Sequence, residues 1–188
     1  PHVRLRFAPK PDKAAVPLRN GTIDVEIGTV EASAPELRSQ LLFRDRFVGV
    51  ARRGHALLDG AITPHRYAAC RHVIASRRGA SSGPVDDALD ALGLRRDIVA
   101  IVSSFLDALD IARRSDLIAL VPHACLRGGA AATEGLVAFE LPVTTPGLSI
   151  SVMWHPRLDA DPAHRWLRQM LIATCRQAVQ PDGARRAT

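Results

Sequence analysis

Ser103-Ser104 sit directly ahead of an apolar helical segment. Hydroxyls and free backbone N–H groups at a helix start suit a carboxylate or nitro group. The same residues serve as N-caps of a helix beginning at Phe105, and the two roles can coexist. Trp154-His155 is a second candidate pair. His155 offers a donor to a carboxylate, and Trp154 an aromatic wall. The competing reading puts Trp154 in the core and His155 in the turn before Pro156, and at this point both stand. Gly79–Gly83 lacks the Lys-Ser/Thr ending of a phosphate loop and reads as an ordinary loop. His55, His65 and His72 lie ten and seven residues apart, which is no helical i,i+4 ligand pair. No metal or other cofactor is expected. Ser103, His123 and Asp107 supply the residue types of a hydrolase, but no G-x-S-x-G elbow carries the serine. Catalysis is therefore not expected.

The elements that hold these residues belong to an ordinary globular chain. Its 188 residues are 47% hydrophobic and 23% charged, and allow one domain or two small lobes. No apolar run approaches the ~20 residues of a membrane span, and the first residues carry no signal-peptide pattern. The chain opens in a strand-like segment and reads as a fragment of a longer protein. Cys70, Cys125 and Cys175 are odd in number and widely spaced, which fits reduced thiols in a cytoplasmic protein. Net charge is +6. The arginine pairs 52–53, 77–78, 95–96, 113–114 and 185–186 are spread along the chain with few aromatics between them. That pattern reads as solvated surface charge rather than a nucleic-acid stripe.

Val3, Leu5 and Phe7 alternate with arginines and predict a strand. Asp12–Asn20 predicts a short helix capped by Asp12, with Pro17 as a kink and Asn20-Gly21 as its stop. Ile23–Ile27 predicts a second strand, so the three pieces read as a parallel βαβ unit. Leu37–Phe43 and Phe47–Ala51 read as strand pieces bent around Arg44-Asp45. Thr63 caps a helical turn. From His72 strands and helices alternate: strand His72–Ser76, helix Pro84–Leu92 stopped by Gly93, strand Ile98–Val102, helix Phe105–Arg114, strand Leu117–Val121. Leu106, Leu109 and Ile111 are the expected core positions of the Phe105 helix. Gly128–Glu134 is loop-like and Leu136–Leu141 a further strand. Leu148, Ile150, Val152 and Trp154 alternate as a strand. A closing helix then starts at Asp161-Pro162, with Trp166, Leu167, Met170 and Leu171 as its apolar stripe and with His164 and Trp166 locking it to that strand.

Four stretches carry a resemblance to a known family. The first is Arg19-Asn20-Gly21-Thr22-Ile23-Asp24-Val25-Glu26-Ile27-Gly28. The second is Leu42-Phe43-Arg44-Asp45-Arg46-Phe47-Val48-Gly49-Val50 with Gly54-His55. The third runs from Ser103-Ser104-Phe105 to Ile118-Ala119-Leu120-Val121-Pro122. The last is Met153-Trp154-His155-Pro156-Arg157 with Asp161-Pro162-Ala163-His164-Arg165-Trp166-Leu167-Arg168. In this order and spacing the chain resembles the effector-binding domain of LysR-type transcriptional regulators, nearest to the branch with aromatic-catabolism and nodulation regulators. The resemblance implies an α/β fold of the type 2 periplasmic-binding-protein kind: two Rossmann-like lobes around a central cleft, joined by two crossover strands. Residues 1–50 plus 148–180 would form the first lobe and 54–142 the second, with crossings near Val48–Arg53 and Thr144–Ser149 and a flexible tail at 181–188. Compared with the family, the first βα unit, the winged helix-turn-helix and the linker helix are absent, and Ala56 stands where proline usually follows Gly-His.

In such a fold, loops at strand C-termini face the cleft. The resemblance therefore implies ligand contacts from Gly28, Thr29, Val50, Ser81, Ser82, Ser103, Ser104, Phe105, Pro122, His123, Trp154 and His155. The implied ligand is a small effector, an aromatic acid. Implied partners are further copies of the chain, as homodimer or tetramer, and DNA through an N-terminal winged helix-turn-helix not present in this chain; no membrane contact is implied. A stand-alone solute-binding protein of the same fold, and an α/β enzyme, are the alternatives from other classes.

Overall fold

Among the described residues the chain forms eight strands and five α-helices. In this computed structural model residues 3–8, 15–30, 35–76, 79–127 and 133–179 are described. Asp12, Arg77-Arg78, most of the Gly128–Glu134 loop and the 181–188 tail lie outside the described residues. The chain divides into two units, Pro1–Arg44 with Leu148–Thr188, and Asp45–Gly147. It passes from one to the other at Arg44–Asp45 and at Gly147–Leu148.

The second unit is built on a five-stranded sheet of order β5-β4-β6-β3-β7. Its strands are β3 (Phe47–Arg52), β4 (Arg71–Ala75), β5 (Asp97–Val102), β6 (Leu117–Pro122) and β7 (Leu136–Phe139). Strands β4, β5 and β6 run parallel, and β3 is antiparallel to both β6 and β7. Neighbouring residues of a strand point to opposite faces. Val48 and Val50 of β3, with Ala119 and Val121 of β6, meet Ala108, Leu109 and Ala112 of α4 (Phe105–Arg113). Ala51 and Ile118 meet Tyr67 of α2 (Pro64–Ala68) and Val85 and Leu89 of α3 (Pro84–Asp90) on the other face. Leu109 is core as expected, but Leu106 is 67% exposed. The buried stripe of α4 runs 108, 109 and 112, and Leu106 falls outside it.

Local signals set these helix ends. Thr63 Oγ1 accepts from Arg66 N at 3.3 Å and caps α2. Gly93, at φ 70°, turns the chain after α3, and Leu94 N closes the end on Leu89 O at 2.9 Å. Gly49 faces Phe139 across the β3–β7 pair, where a Cβ would overlap the phenyl ring.

His72 is enclosed in this core. Its Nε2 donates to Tyr67 O at 3.0 Å, and its Nδ1 has no hydrogen-bond partner among the described residues. Burial, opposed by the bond to Tyr67 O, pushes its pKa down to about 4 from an ordinary 6.5. Above pH 6.5 folded and unfolded chains both hold it neutral. Between pH 6.5 and 4 only the unfolded chain takes up the proton, so stability falls as pH falls. His72 should thus remove up to about 3 kcal/mol over that window. Denaturation curves at pH 7 and pH 4.5 check this: the pH-linked loss should be smaller in a His72→Gln variant than in the parent.

The first unit holds a three-stranded sheet of order β1-β8-β2, from β1 (Glu26–Thr29), β2 (Arg38–Asp45) and β8 (Leu148–Trp154). Strand β1 is antiparallel to β8, with Ile27 opposite Val152. This corrects the expected parallel βαβ unit. Residues 3–8 form no strand, and Leu5 and Phe7 are exposed. Alternation alone does not make a strand where no described segment pairs with the backbone. The short helix α1 (Val16–Asn20) has Pro17 in its first turn, where proline starts a helix rather than kinks it.

Helix α5 (Pro162–Val179) is capped by Asp161, whose Oδ1 accepts from His164 N at 2.6 Å. Its inward face carries His164, Arg168, Leu171, Ile172 and Cys175. Trp166 and Met170, expected inside, are exposed. His164 does anchor the helix. An arginine can only donate, so His164 Nδ1 accepts from Arg168 and Nε2 donates to Asp24 O at 2.9 Å. Two polar anchors therefore set the rotation of α5. Among the described residues, no helix is long and apolar enough to cross a membrane.

Candidate functional site

Because β4, β5 and β6 are parallel, the loops that follow them open on one edge of the second unit's sheet. Ser81 and Ser82 follow β4, Ser103 and Ser104 follow β5, and His123 follows β6. Strand β3 starts at that edge, since Phe47 pairs with Pro122. The Phe47 and Phe105 rings lie 6.4 Å apart. An aromatic pair thus stands between the start of α4 and the end of β6.

Ser104 Oγ accepts from Asp107 N at 3.2 Å and is the N-cap of α4. Ser103 is exposed, its Oγ 3.5 Å from Asp107 Oδ2. No hydrogen bond among the described residues joins Ser103 or Asp107 to His123. His123 opens a short 3-10 turn, His123–Leu126. Its backbone N donates to Arg46 O at 2.9 Å. Its Nδ1 is buried and has no partner among the described residues. An imidazole nitrogen in that state can accept or donate one more hydrogen bond, according to tautomer.

Charged groups brace this edge. Arg46 Nε donates to Glu140 Oε2 at 3.0 Å, and Arg46 Nη2 pairs with Glu140 Oε1. The hydrogen bond from Arg46 holds the exposed Glu140 carboxyl below its ordinary value. Asp45 Oδ2 accepts from Ala124 N at 3.0 Å. Burial, with the Asp45 charge adding to it, pushes the Cys125 thiol up.

Ser81 and Ser82 line a separate cleft of about 370 Å³ beside α3, with Asp86, Leu89, Arg95 and Arg96. Arg96 is expected as surface charge, yet its side chain is 2% exposed. It grips Asp86 through Nε at 2.7 Å and Nη2 at 2.8 Å. Val50 presents no surface, being fully enclosed in the core against α4.

In the first unit, Gly28 and Thr29 lie on β1 opposite Ser151 and Ile150. Trp154 is in the core with Leu42 and Val152, and Nε1 donates to Asp159 Oδ1 at 2.6 Å. His155 Nδ1 accepts from Arg157 N at 3.2 Å and caps the turn after it. These are the contacts of the structural alternative for the Trp154-His155 pair. His55 likewise caps a turn, accepting from Leu57 N at 3.0 Å. Sequence reasoning passed over Phe47, Asp45, Arg46 and Glu140. Only the antiparallel β3–β6 and β3–β7 registers bring them to the edge, and no local signal encodes those pairings.

Comparison with known proteins is consistent across the chain. A family model described as LysR substrate binding domain matches residues 1–176. The HTH-type transcriptional activator NahR of Pseudomonas putida is 31% identical over 157 residues, which are 82% of this chain and 51% of that protein. The probable transcriptional regulator PA0477 from Pseudomonas aeruginosa superposes with a TM-score of 0.76 at 32% identity, covering 89% of this chain and 55% of that one. The effector binding domain of QuiR, solved with shikimate, shares the fold at a TM-score of 0.67 and 13% identity, over 86% of this chain and 76% of that one. The chain spans about half the length of the curated relatives it matches.

Proposed function

Because this chain belongs to the LysR substrate-binding domain family, we propose that it senses a small aromatic acid at the edge of the second unit that carries His123. One observation carries the reading: the buried Nδ1 of His123 has no partner among the described residues, and His123 follows β6 at the sheet edge that also carries the Phe47–Phe105 pair and the Ser103-Ser104 start of α4. The rings offer an apolar face to an arene. The imidazole, the hydroxyls and the helix start offer hydrogen bonds and positive potential to a carboxylate. Ser81 and Ser82, on the loop that follows β4 at the same edge, complete the proposed contact set. QuiR, a distant relative in fold, binds shikimate, a cyclic carboxylic acid.

A ligand that favours one conformation shifts the population toward it. In the whole protein this shift would be read by a winged helix-turn-helix on DNA, within a cytoplasmic homodimer or tetramer. A thermal-shift panel of benzoates, cinnamates and hydroxylated cyclic acids tests the reading. A ligand at 100 times its Kd should add about 2.7 kcal/mol of stability. The parent should respond to at least one member, and a His123→Ala variant with unchanged circular dichroism should not. A parent that responds to no member would overturn the aromatic-acid reading.

A further inference from the structure

The turn that carries His123 lacks a cap of its own. It starts after Pro122, which has no side-chain acceptor, so the first N–H groups of His123–Leu126 need partners from elsewhere. Two consecutive residues between β2 and β3, the last of β2 and the one after it, supply them. Arg46 O accepts from His123 N at 2.9 Å, and Asp45 Oδ2 accepts from Ala124 N at 3.0 Å. The second bond is charge-assisted and comes from a residue 79 positions away in sequence. Arg46 is itself held by Glu140, at the end of β7. The backbone of the turn that bears His123 is thus held by a carboxylate and a carbonyl on one dipeptide.

We infer that Asp45 is a positioning residue for His123: its carboxylate, by holding Ala124 N, fixes where the His123 ring stands. The inference deepens the effector-site reading and rests on it for its functional meaning, but its geometry can be tested without ligand. Asp45→Asn keeps an acceptor oxygen, and Asp45→Ala removes it. The ring of His123 is followed by NMR in the free protein, through its imidazole resonances, assigned with a His123→Gln variant. Asp45→Ala should displace those resonances and leave those of His65, on α2, in place, while Asp45→Asn should restore most of the parent positions. Unmoved His123 resonances in a folded Asp45→Ala variant would overturn the inference. So would an Asp45→Asn variant as displaced as Asp45→Ala.

If Asp45→Ala does not fold, Asp45→Asn decides alone, with resonances near the parent's expected and displaced ones overturning the inference. In a second arm benzoate is titrated into parent and variants. Where the parent binds it, Asp45→Ala should bind at least tenfold more weakly and Asp45→Asn within about threefold of the parent. Equal affinity in parent and Asp45→Ala would overturn the inference. A parent that binds no benzoate counts against the ligand reading, and the resonances of the free protein then decide the positioning role.

Discussion

Replacing Arg96 by alanine should cost about 3–5 kcal/mol of stability, because it strands a partly buried carboxylate. The Arg96 side chain is 2% exposed and that of Asp86 17%. Burial raises the Asp86 carboxyl, and the Arg96 guanidinium together with backbone hydrogen bonds more than offsets this, so the group rests below its ordinary value. Asp86 also accepts from Gly83 N at 2.8 Å, which ties the start of α3 to the pair. Losing the guanidinium removes two charge-assisted bonds at once, together with a long 3.5 Å contact to the Tyr67 hydroxyl. Urea denaturation of the Arg96→Ala variant measures the loss. Arg95→Ala is the matched control: that side chain is 90% exposed, and the change should stay within about 0.5 kcal/mol. A loss of under about 1 kcal/mol at Arg96 would mean the pair behaves as a surface salt bridge. The double variant Arg96→Met with Asp86→Leu should recover much of the loss, since it leaves no unpaired charge. Gly83 N would still lack its acceptor, so recovery should be incomplete.

Trp154→Ala should be the most damaging substitution in the first unit, at about 3–5 kcal/mol for the lost aromatic volume. The side chain fills the small cluster with Leu42 and Val152. Its ring also lies 4.5 Å under the guanidinium of Arg168, a buried cation bonded otherwise to Leu158 O, Asp159 O and His164. Removing the ring takes away both packing and the face that the cation rests on. Trp154→Phe keeps an aromatic face and gives up the bond to Asp159, so its loss should be clearly smaller. Circular dichroism with chemical denaturation separates the two variants. Equal losses would show that the indole N–H, not the ring, dominates.

The second unit was the more legible from sequence, because its elements carry their own punctuation. Thr63, Gly93 and Ser104 start or stop helices through bonds to residues three to five positions away. The nearly unbroken apolar run Leu117–Val121 likewise marks its own strand. The first unit depends on pairings between distant segments. Strand β1 takes its partner from β8, far along the chain, and no local pattern distinguishes that antiparallel pairing from the expected parallel one. Helix α5 shows a second blind spot. A hydropathy stripe favours Trp166 and Met170, whereas the rotation is set by His164 and Arg168, which hydropathy counts as polar. Arg96 was misread for the same reason, since charge gives no sign of burial until its partner is placed. At the candidate site, Ser104 and His123 were visible as residue types, but Phe47 and Asp45 acquire meaning only from the β3 registers.

The close approach of Gly49 to Phe139 makes two positions ninety residues apart a single unit of variation. A mutant library that randomises position 49 alone should return little besides glycine. Joint randomisation should recover Gly49→Ala together with a trimmed partner such as Phe139→Leu. Among relatives, the two positions should trade volume, a larger residue on one strand accompanying a smaller one on the other.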